Sequence, residues 1–417
     1  MNRTLTALTA LGFAAIGMAQ APPAEAPGLK FTGFMQFRYE SIENPRVTAS
    51  EAGLAQVANY GPAYNKSETR ELVWFNVDNQ FDGKTRFHAI VAAEHLGGRT
   101  TKTDLQIKEG YVAAKFGASE IALGRFFFDV GLGTLGGAPF MDGVHLSTGN
   151  KYVKAQAFLT RFGNPGERTT AVADKSSYTY LAGDVKLTPV AGLTLSAAYF
   201  GETSDQTVAS DHLGGALYKS TAFGFQYKYE TNHTPWFTLT GEYATNNGAM
   251  AKKINCTYTP VAGVGNPLSP TIEGDAPKAY FVKAQVLGAN PFMPGTGGLY
   301  VQFRKADAGF DAMGMASPTT WNAPFNWTTP AGGGSADNHK GIEVGAEICV
   351  LPRLILKAQA GYMKLVNMRS TLDLGSPALM AVASVTPTNA APVVEMVTGA
   401  KNRESQKYFT CAAFYIF

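Results

Sequence analysis

The chain ends on the stretch FTCAAFYIF, residues 409–417, which alternates between two faces if the backbone is extended. One face then carries Phe409, Cys411, Ala413, Tyr415 and Phe417. In a strand formed by the last residues of the sequence, the backbone N–H and C=O groups are unsatisfied unless neighbouring strands bond to them. We therefore expect this stretch to be a strand that is paired along its length.

The same period of two recurs upstream. Between residues 29 and 40 the odd positions are mostly apolar and the even positions mostly polar, with Phe34 as the exception. Similar runs occur at 223–230, 237–243, 342–348 and 354–362. Such alternation is typical of strands with one apolar and one polar face.

This template predicts sixteen strands, an even number. We expect them near residues 29–40, 70–81, 85–95, 105–116, 119–125, 141–147, 152–162, 177–188, 193–202, 220–230, 236–246, 278–287, 298–305, 340–351, 354–365 and 405–417.

The connections between these strands alternate in length. Seven are short and carry turn residues, such as Asp82-Gly83-Lys84 and Pro352-Arg353, while eight are mostly long and rich in Gly, Pro, Ser, Thr and Asn. The two longest span 306–339 and 366–404. Short periplasmic turns opposite long extracellular loops are the topology of an outer-membrane barrel.

A sheet that spans a membrane must close, because an open edge would leave unsatisfied N–H and C=O groups in hydrocarbon. The expected closure pairs the last strand with the one that begins at Leu29. Sixteen strands leave an aqueous lumen, which suits the many charged residues at inward positions. The sequence thus predicts an all-β fold, a single antiparallel up-and-down transmembrane β-barrel.

The N-terminus predicts export. A basic end, Met1-Asn2-Arg3, precedes a short apolar run that finishes at Gly17-Met18-Ala19, as in a secretory signal peptide. We expect residues 1–19 to be removed, residues 20–28 to form a short periplasmic segment and residues 29–417 to form the barrel.

Composition excludes several classes of protein. After the signal peptide no apolar stretch approaches the roughly 18 to 20 residues that a membrane helix needs. The net charge of +3 provides no basic field for nucleic acid. Cys256, Cys349 and Cys411 are scattered and odd in number, so neither a disulfide scaffold nor a metal site follows. No cofactor is implied.

Two further segments resemble those of general bacterial porins. Residues 109–117, EGYVAAKFG, and 121–125, IALGR, are similar to the paired-strand motif that precedes the third loop in that family. The terminal Phe417 and Tyr415 also resemble the signature that the barrel-assembly machinery recognises in outer-membrane proteins. This resemblance implies location in the outer membrane, contact with lipid and lipopolysaccharide, passage of small hydrophilic solutes and ions, and a homotrimer, although the second loop, 96–104, is short for the usual latch between subunits.

In porins the third loop folds into the barrel and narrows it, and acidic loop residues face a basic cluster on the wall. The third loop here follows Arg125 and is poor in acidic residues. The resemblance selects as constriction candidates, by matching residue type, Asp129 and Asp142 against Arg38, Arg70, Arg86 and Arg125. Opposed charges of this kind would set a transverse field across the pore.

Two motifs suggest other chemistry. Residues 131–136, GLGTLG, match a dinucleotide fingerprint by letter, but no βαβ unit surrounds them, which favours an inward-folded glycine-rich loop. His145 and Ser147 share a strand face, as in a nucleophile with its base. They would lie toward the lumen at the short-turn end, whereas outer-membrane lipid hydrolases act at the opposite end, so no catalytic site is predicted.

Three functions remain open at this stage. The first is a passive diffusion pore for small hydrophilic solutes. The second is a channel selective for anions, sugars or peptides. The third is a surface adhesin or envelope partner, in which the loops 306–339 and 366–404 matter more than the lumen.

Overall fold

The computed structural model describes residues 28–43, 65–97, 104–137, 140–162, 178–203, 216–231, 234–255, 274–311, 314–317, 319–321, 336–366 and 405–417. The expected signal peptide, residues 1–19, lies outside these ranges, as do residues 20–27 of the expected periplasmic segment, Cys256 and nearly all of the loop 366–404.

The described residues form the sixteen strands that the sequence predicts, and the observed bounds differ from the predicted ones by a few residues at most. The strands are β1 (Leu29–Glu43), β2 (Asn65–Gln80), β3 (Thr85–Gly97), β4 (Asp104–Phe116), β5 (Ser119–Phe127), β6 (Phe140–Gly149), β7 (Val153–Phe162), β8 (Tyr178–Val190), β9 (Leu193–Glu202), β10 (Lys219–Thr231), β11 (Thr234–Asn246), β12 (Lys278–Leu287), β13 (Gly297–Ala306), β14 (His339–Leu351), β15 (Leu354–Leu365) and β16 (Ser405–Ile416). A short helix, α1 (Ala249–Ile254), follows β11.

Every strand pairs antiparallel with its neighbours in the chain, and β16 pairs with β1 to close the barrel. At the closure Gly33 and Phe417 exchange two backbone hydrogen bonds of 3.0 Å. The Phe417 ring also packs on Phe75 of β2, with ring centroids 5.5 Å apart. The expected pairing of the last strand with the first is confirmed.

The outward face of the barrel is apolar. Phe31, Leu123 and Phe223 expose 66%, 56% and 65% of their surface, and large exposed apolar side chains recur on fifteen of the sixteen strands. Apolar side chains are suited to contact with hydrocarbon. The closed sheet is suited to it as well, because its backbone groups bond to one another and leave no open edge. No helix in the described part of the chain is long and apolar enough to cross a membrane.

The inward face carries polar and charged residues together with one large apolar cluster. That cluster joins side chains of β6–β13 to those of two connections that follow β5 and β13. We name these the third loop, described at Phe128–Gly137, and the seventh loop, described at 307–311, 314–317, 319–321 and 336–338. Both fold into the barrel, so part of the long connection 306–339 lines the lumen rather than the outer surface.

Candidate lumen constriction

The third loop enters the lumen through its aromatic root. Phe128 is fully buried and packs on Phe158 of β7 and Phe200 of β9, with centroid distances of 5.3 and 5.2 Å. Phe140, where β6 begins, packs on Trp74 of β2 at 5.9 Å. A loop between two strands is usually polar, and these contacts explain why the segment after Arg125 is apolar instead.

Two carboxylates of the wall hold the loop in place. Asp184 of β8 accepts a hydrogen bond of 2.8 Å from the Gly131 N–H. Glu242 of β11 accepts bonds of 2.7 Å from the Leu132 N–H and 2.8 Å from the Thr134 N–H. Successive backbone N–H groups in such a turn form a cradle for an anion, and here the protein's own carboxylates occupy it.

The glycines of this segment are needed for that geometry. Gly131 and Gly133 have φ angles of 74° and 119°, values that side-chain-bearing residues rarely adopt. A Cβ atom on Gly131 would lie 2.6 Å from Oε1 of Glu242. The match to a dinucleotide fingerprint therefore reflects a loop that presents N–H groups to the barrel wall.

Arg38 and Arg70 are brought together on the opposite side of the lumen. They are direct partners in the register of β1 and β2, and they share the inward parity of the buried Phe34 and Leu72. Arg38 also forms an ion pair with Glu40. Since β1 and β2 lie half-way round the closed sheet from β9 and β10, these arginines belong to the wall that faces the third loop.

Arg86 lies nearer the short-turn rim, paired in register with Gln80. Its guanidinium donates hydrogen bonds of 2.8 and 3.1 Å to Glu120 and one of 3.3 Å to the Tyr111 hydroxyl. A bidentate pair of this kind fixes the side chain. Arg86 thus binds three strands together below the third loop.

Asp129 turns toward the wall on which its own loop rests. Its carbonyl oxygen accepts a bond of 2.6 Å from Nε2 of Gln156. Burial raises the pKa of the Asp129 carboxyl, and the nearby Lys186 ammonium acts in the opposite direction. Lys186 in turn pairs with Asp184 at 3.2 Å. The charge of Asp129 is therefore directed away from Arg38 and Arg70.

Arg125 and Asp142 lie elsewhere. They are register partners on β5 and β6 and form an ion pair of 3.3 Å. Both share the parity of the exposed Leu123 and Leu146, opposite to the buried Phe126 and Met141. Side chains alternate along a strand, so this pair faces away from the side of the sheet that carries the third loop.

A histidine cluster that the sequence did not indicate supports the root of the loop. His88 of β3 bonds through Nδ1 to Asp78 at 2.7 Å and through Nε2 to Glu109 at 2.9 Å. The other oxygen of Glu109 accepts the N–H of Phe127 at 2.5 Å. Inward parity alone predicts that His88 and Asp78 lie in the lumen. It does not predict the link from His88 through Glu109 to Phe127 at the end of β5.

The His145 imidazole is engaged by residues other than Ser147. Its ring stacks on Phe158 with a centroid distance of 4.1 Å, and Nε2 lies 3.2 Å from Oε1 of Gln156. In the described ranges no group of three or more His, Cys, Asp or Glu side chains could hold a metal ion. Cys349 and Cys411 are free thiols.

No protein-family model matches the chain, and no curated protein matches it either. Solved structures do. An anion-selective porin from Comamonas acidovorans aligns with 94% of this chain and 100% of its own, at 11% identity and a TM-score of 0.50. A loop L8 deletion mutant of OmpT, an outer membrane protein of Vibrio cholerae, aligns over the same shares at 10% identity and 0.49. The alignment with the Comamonas porin and the closed 16-strand antiparallel barrel together give the chain the porin fold.

Proposed function

We propose that this protein is an outer-membrane porin, whose water-filled lumen lets ions and small hydrophilic solutes diffuse passively. Diameter and lining charge would discriminate between solutes. Insertion through the barrel-assembly machinery by way of Phe417, and a homotrimeric state, belong to the same proposal.

Two properties of the barrel support a membrane channel. The outward face offers apolar side chains to lipid, whereas the inward face carries ion pairs such as Arg86 with Glu120 and Lys357 with Glu347. A charged interior is what a water-filled lumen tolerates and a filled core does not. Similar solved structures include porins.

The observation that carries the proposal is the docking of the third loop. A loop that enters the barrel and bonds to Asp184 and Glu242 narrows the lumen without needing a reaction centre. Width and charge at a constriction are the physical means by which a passive pore selects. The facing wall presents Arg38 and Arg70.

Planar-bilayer recording tests this function. The chain without residues 1–19 would be refolded in detergent, and its single-channel conductance and its reversal potential in a salt gradient would be measured. We expect discrete, non-saturating conductance steps. Folded protein that gives no conductance would refute a pore and favour a surface role.

A second candidate is the same channel with a preference for anions. Asp184 and Glu242 bond to the third loop, and Asp129 turns toward Lys186. These three acidic groups are therefore directed away from Arg38 and Arg70, and Glu40 is the acidic side chain that pairs with Arg38 on the facing wall. A structural neighbour is described as anion-selective. A reversal potential toward the chloride equilibrium value would support this candidate, and one toward the cation value would refute it.

A further inference from the structure

The seventh loop reaches deep into the barrel and rests on a buried polar platform. The carbonyl oxygen of Thr320 accepts hydrogen bonds from Gln302 and, at 3.0 Å, from Arg304, both on the inward face of β13. Arg304 is fully buried and also contacts Glu343 and Tyr408. Because a buried guanidinium without partners is very costly, this platform keeps the loop at a fixed depth.

Trp321 anchors the same segment by packing. Its side chain is fully buried, and its ring lies 6.2 Å from that of Phe281 on β12 and 5.7 Å from that of His339. The indole N–H donates a bond of 3.4 Å to the hydroxyl of Thr134. One side chain therefore contacts the barrel wall and the third loop together.

Backbone contacts join the two loops further. The Ser317 N–H donates a bond of 2.8 Å to the Gly133 carbonyl, and Gly137 forms an antiparallel bridge with Ala316. Asp311 holds the turn that presents these residues, since it accepts N–H bonds from Met315 and Ala316 and a bond from the Tyr218 hydroxyl. The third loop is thus fixed from two sides, by wall carboxylates and by the seventh loop.

We propose that the third and seventh loops form one constriction unit, and that Trp321 is the positioning residue that sets its width. This inference rests on the proposed pore function. Without the indole, the third loop would keep its bonds to Asp184 and Glu242 but lose the support behind Thr134. The loop would then move more freely and the passage would widen.

The test compares Trp321→Ala with Trp236→Ala, which removes an exposed tryptophan from the short-turn end of β11. We expect Trp321→Ala to raise single-channel conductance about twofold and to admit larger neutral sugars in liposome swelling, with more current noise. Trp236→Ala should match the wild type. Trp321→Phe, which keeps a packed ring, should restore most of the wild-type size limit.

A second variant guards against misfolding. Thr134→Val removes the acceptor for the indole N–H at nearly constant volume, and it should also raise current noise. Unchanged conductance and size limit in folded Trp321→Ala or Thr134→Val, or equal effects from Trp236→Ala, would overturn the inference. Failure of the wild-type protein to conduct would instead refute the proposed pore.

Discussion

Glu242 accepts a hydrogen bond of 2.8 Å from the backbone N–H of Thr134, a residue 108 positions earlier in the chain. The bond joins the third loop to β11, on the inner wall of the barrel. Hydrogen bonds to a charged acceptor contribute roughly 1.5 to 3 kcal/mol each, so this carboxylate is a principal anchor of the loop.

Replacing that anchor should loosen the constriction. We expect Glu242→Ala to weaken docking of the third loop by about 2 kcal/mol and to raise single-channel conductance, while the barrel still migrates as a folded species in unheated gels. Glu230→Gln, on an exposed side chain of β10, serves as the control. Equal conductance in both variants would contradict the anchoring role.

A methyl group at Gly131 should act on the same contact from the loop side. The positive φ of 74° costs an alanine about 1 kcal/mol, and the added Cβ would lie 2.6 Å from Glu242. We expect Gly131→Ala to raise conductance and to increase protease cleavage within the loop. Gly83→Ala, where a Cβ meets nothing within 4 Å, should leave both properties unchanged.

The seventh loop should respond to pH through Asp311. Burial raises the pKa of this carboxyl from 3.8 to about 7, against the hydrogen bonds that it accepts. A raised pKa means that the docked loop favours the protonated form, so docking is strongest below about pH 4 and weakens as the pH rises through about 7. Current noise should therefore increase as the pH rises from about 4 to about 7.

An asparagine at position 311 removes the titration. Asp311→Asn should give conductance and noise that do not change over this pH interval, whereas Asp82→Asn, in an exposed turn of the other rim, should keep the wild-type profile. The titratable side chain bonded to Asp311 is Tyr218. A pH response that persists in Asp311→Asn would assign the effect to another group.

The closure of the barrel can be tested at Phe417. The ring contacts Phe75 of β2, and a Cβ on Gly33 of β1 would lie 2.6 Å from it. The ring therefore packs on both β1 and β2. We expect Phe417→Ala to lower the temperature at which the barrel unfolds in gels. Phe292→Ala, on an exposed phenylalanine in the short turn after β12, is the matched control and should have little effect.

The strands were predictable because their information is local. Alternation with a period of two and turn residues at the short rim fix the strands from β1 to β16 within a few residues. The same parity that assigns Val144 and Leu146 outward also assigns Asp142 outward, so residue type alone placed it wrongly in the candidate constriction. A side chain one position further along a strand faces the lipid where its neighbour faces the lumen.

The contacts of the loops were not predictable in this way. Parity places Asp184 and Glu242 in the lumen, but their partners Gly131 and Thr134 lie 53 and 108 residues away. Nothing periodic in residues 307–321 marks the inward course of the seventh loop. Such contacts depend on the closed sheet bringing distant segments together, which a pattern within one segment cannot encode.

The order of the chain has a consequence for biogenesis. The third loop is synthesised before every residue that anchors it from β8, from β11 and from Ser317 in the seventh loop. Long-range contacts of this kind form late, because the intervening chain must first be arranged. Docking of the third loop needs the strands that carry its anchors to be paired first, so we expect a barrel of wider bore to precede the constricted one.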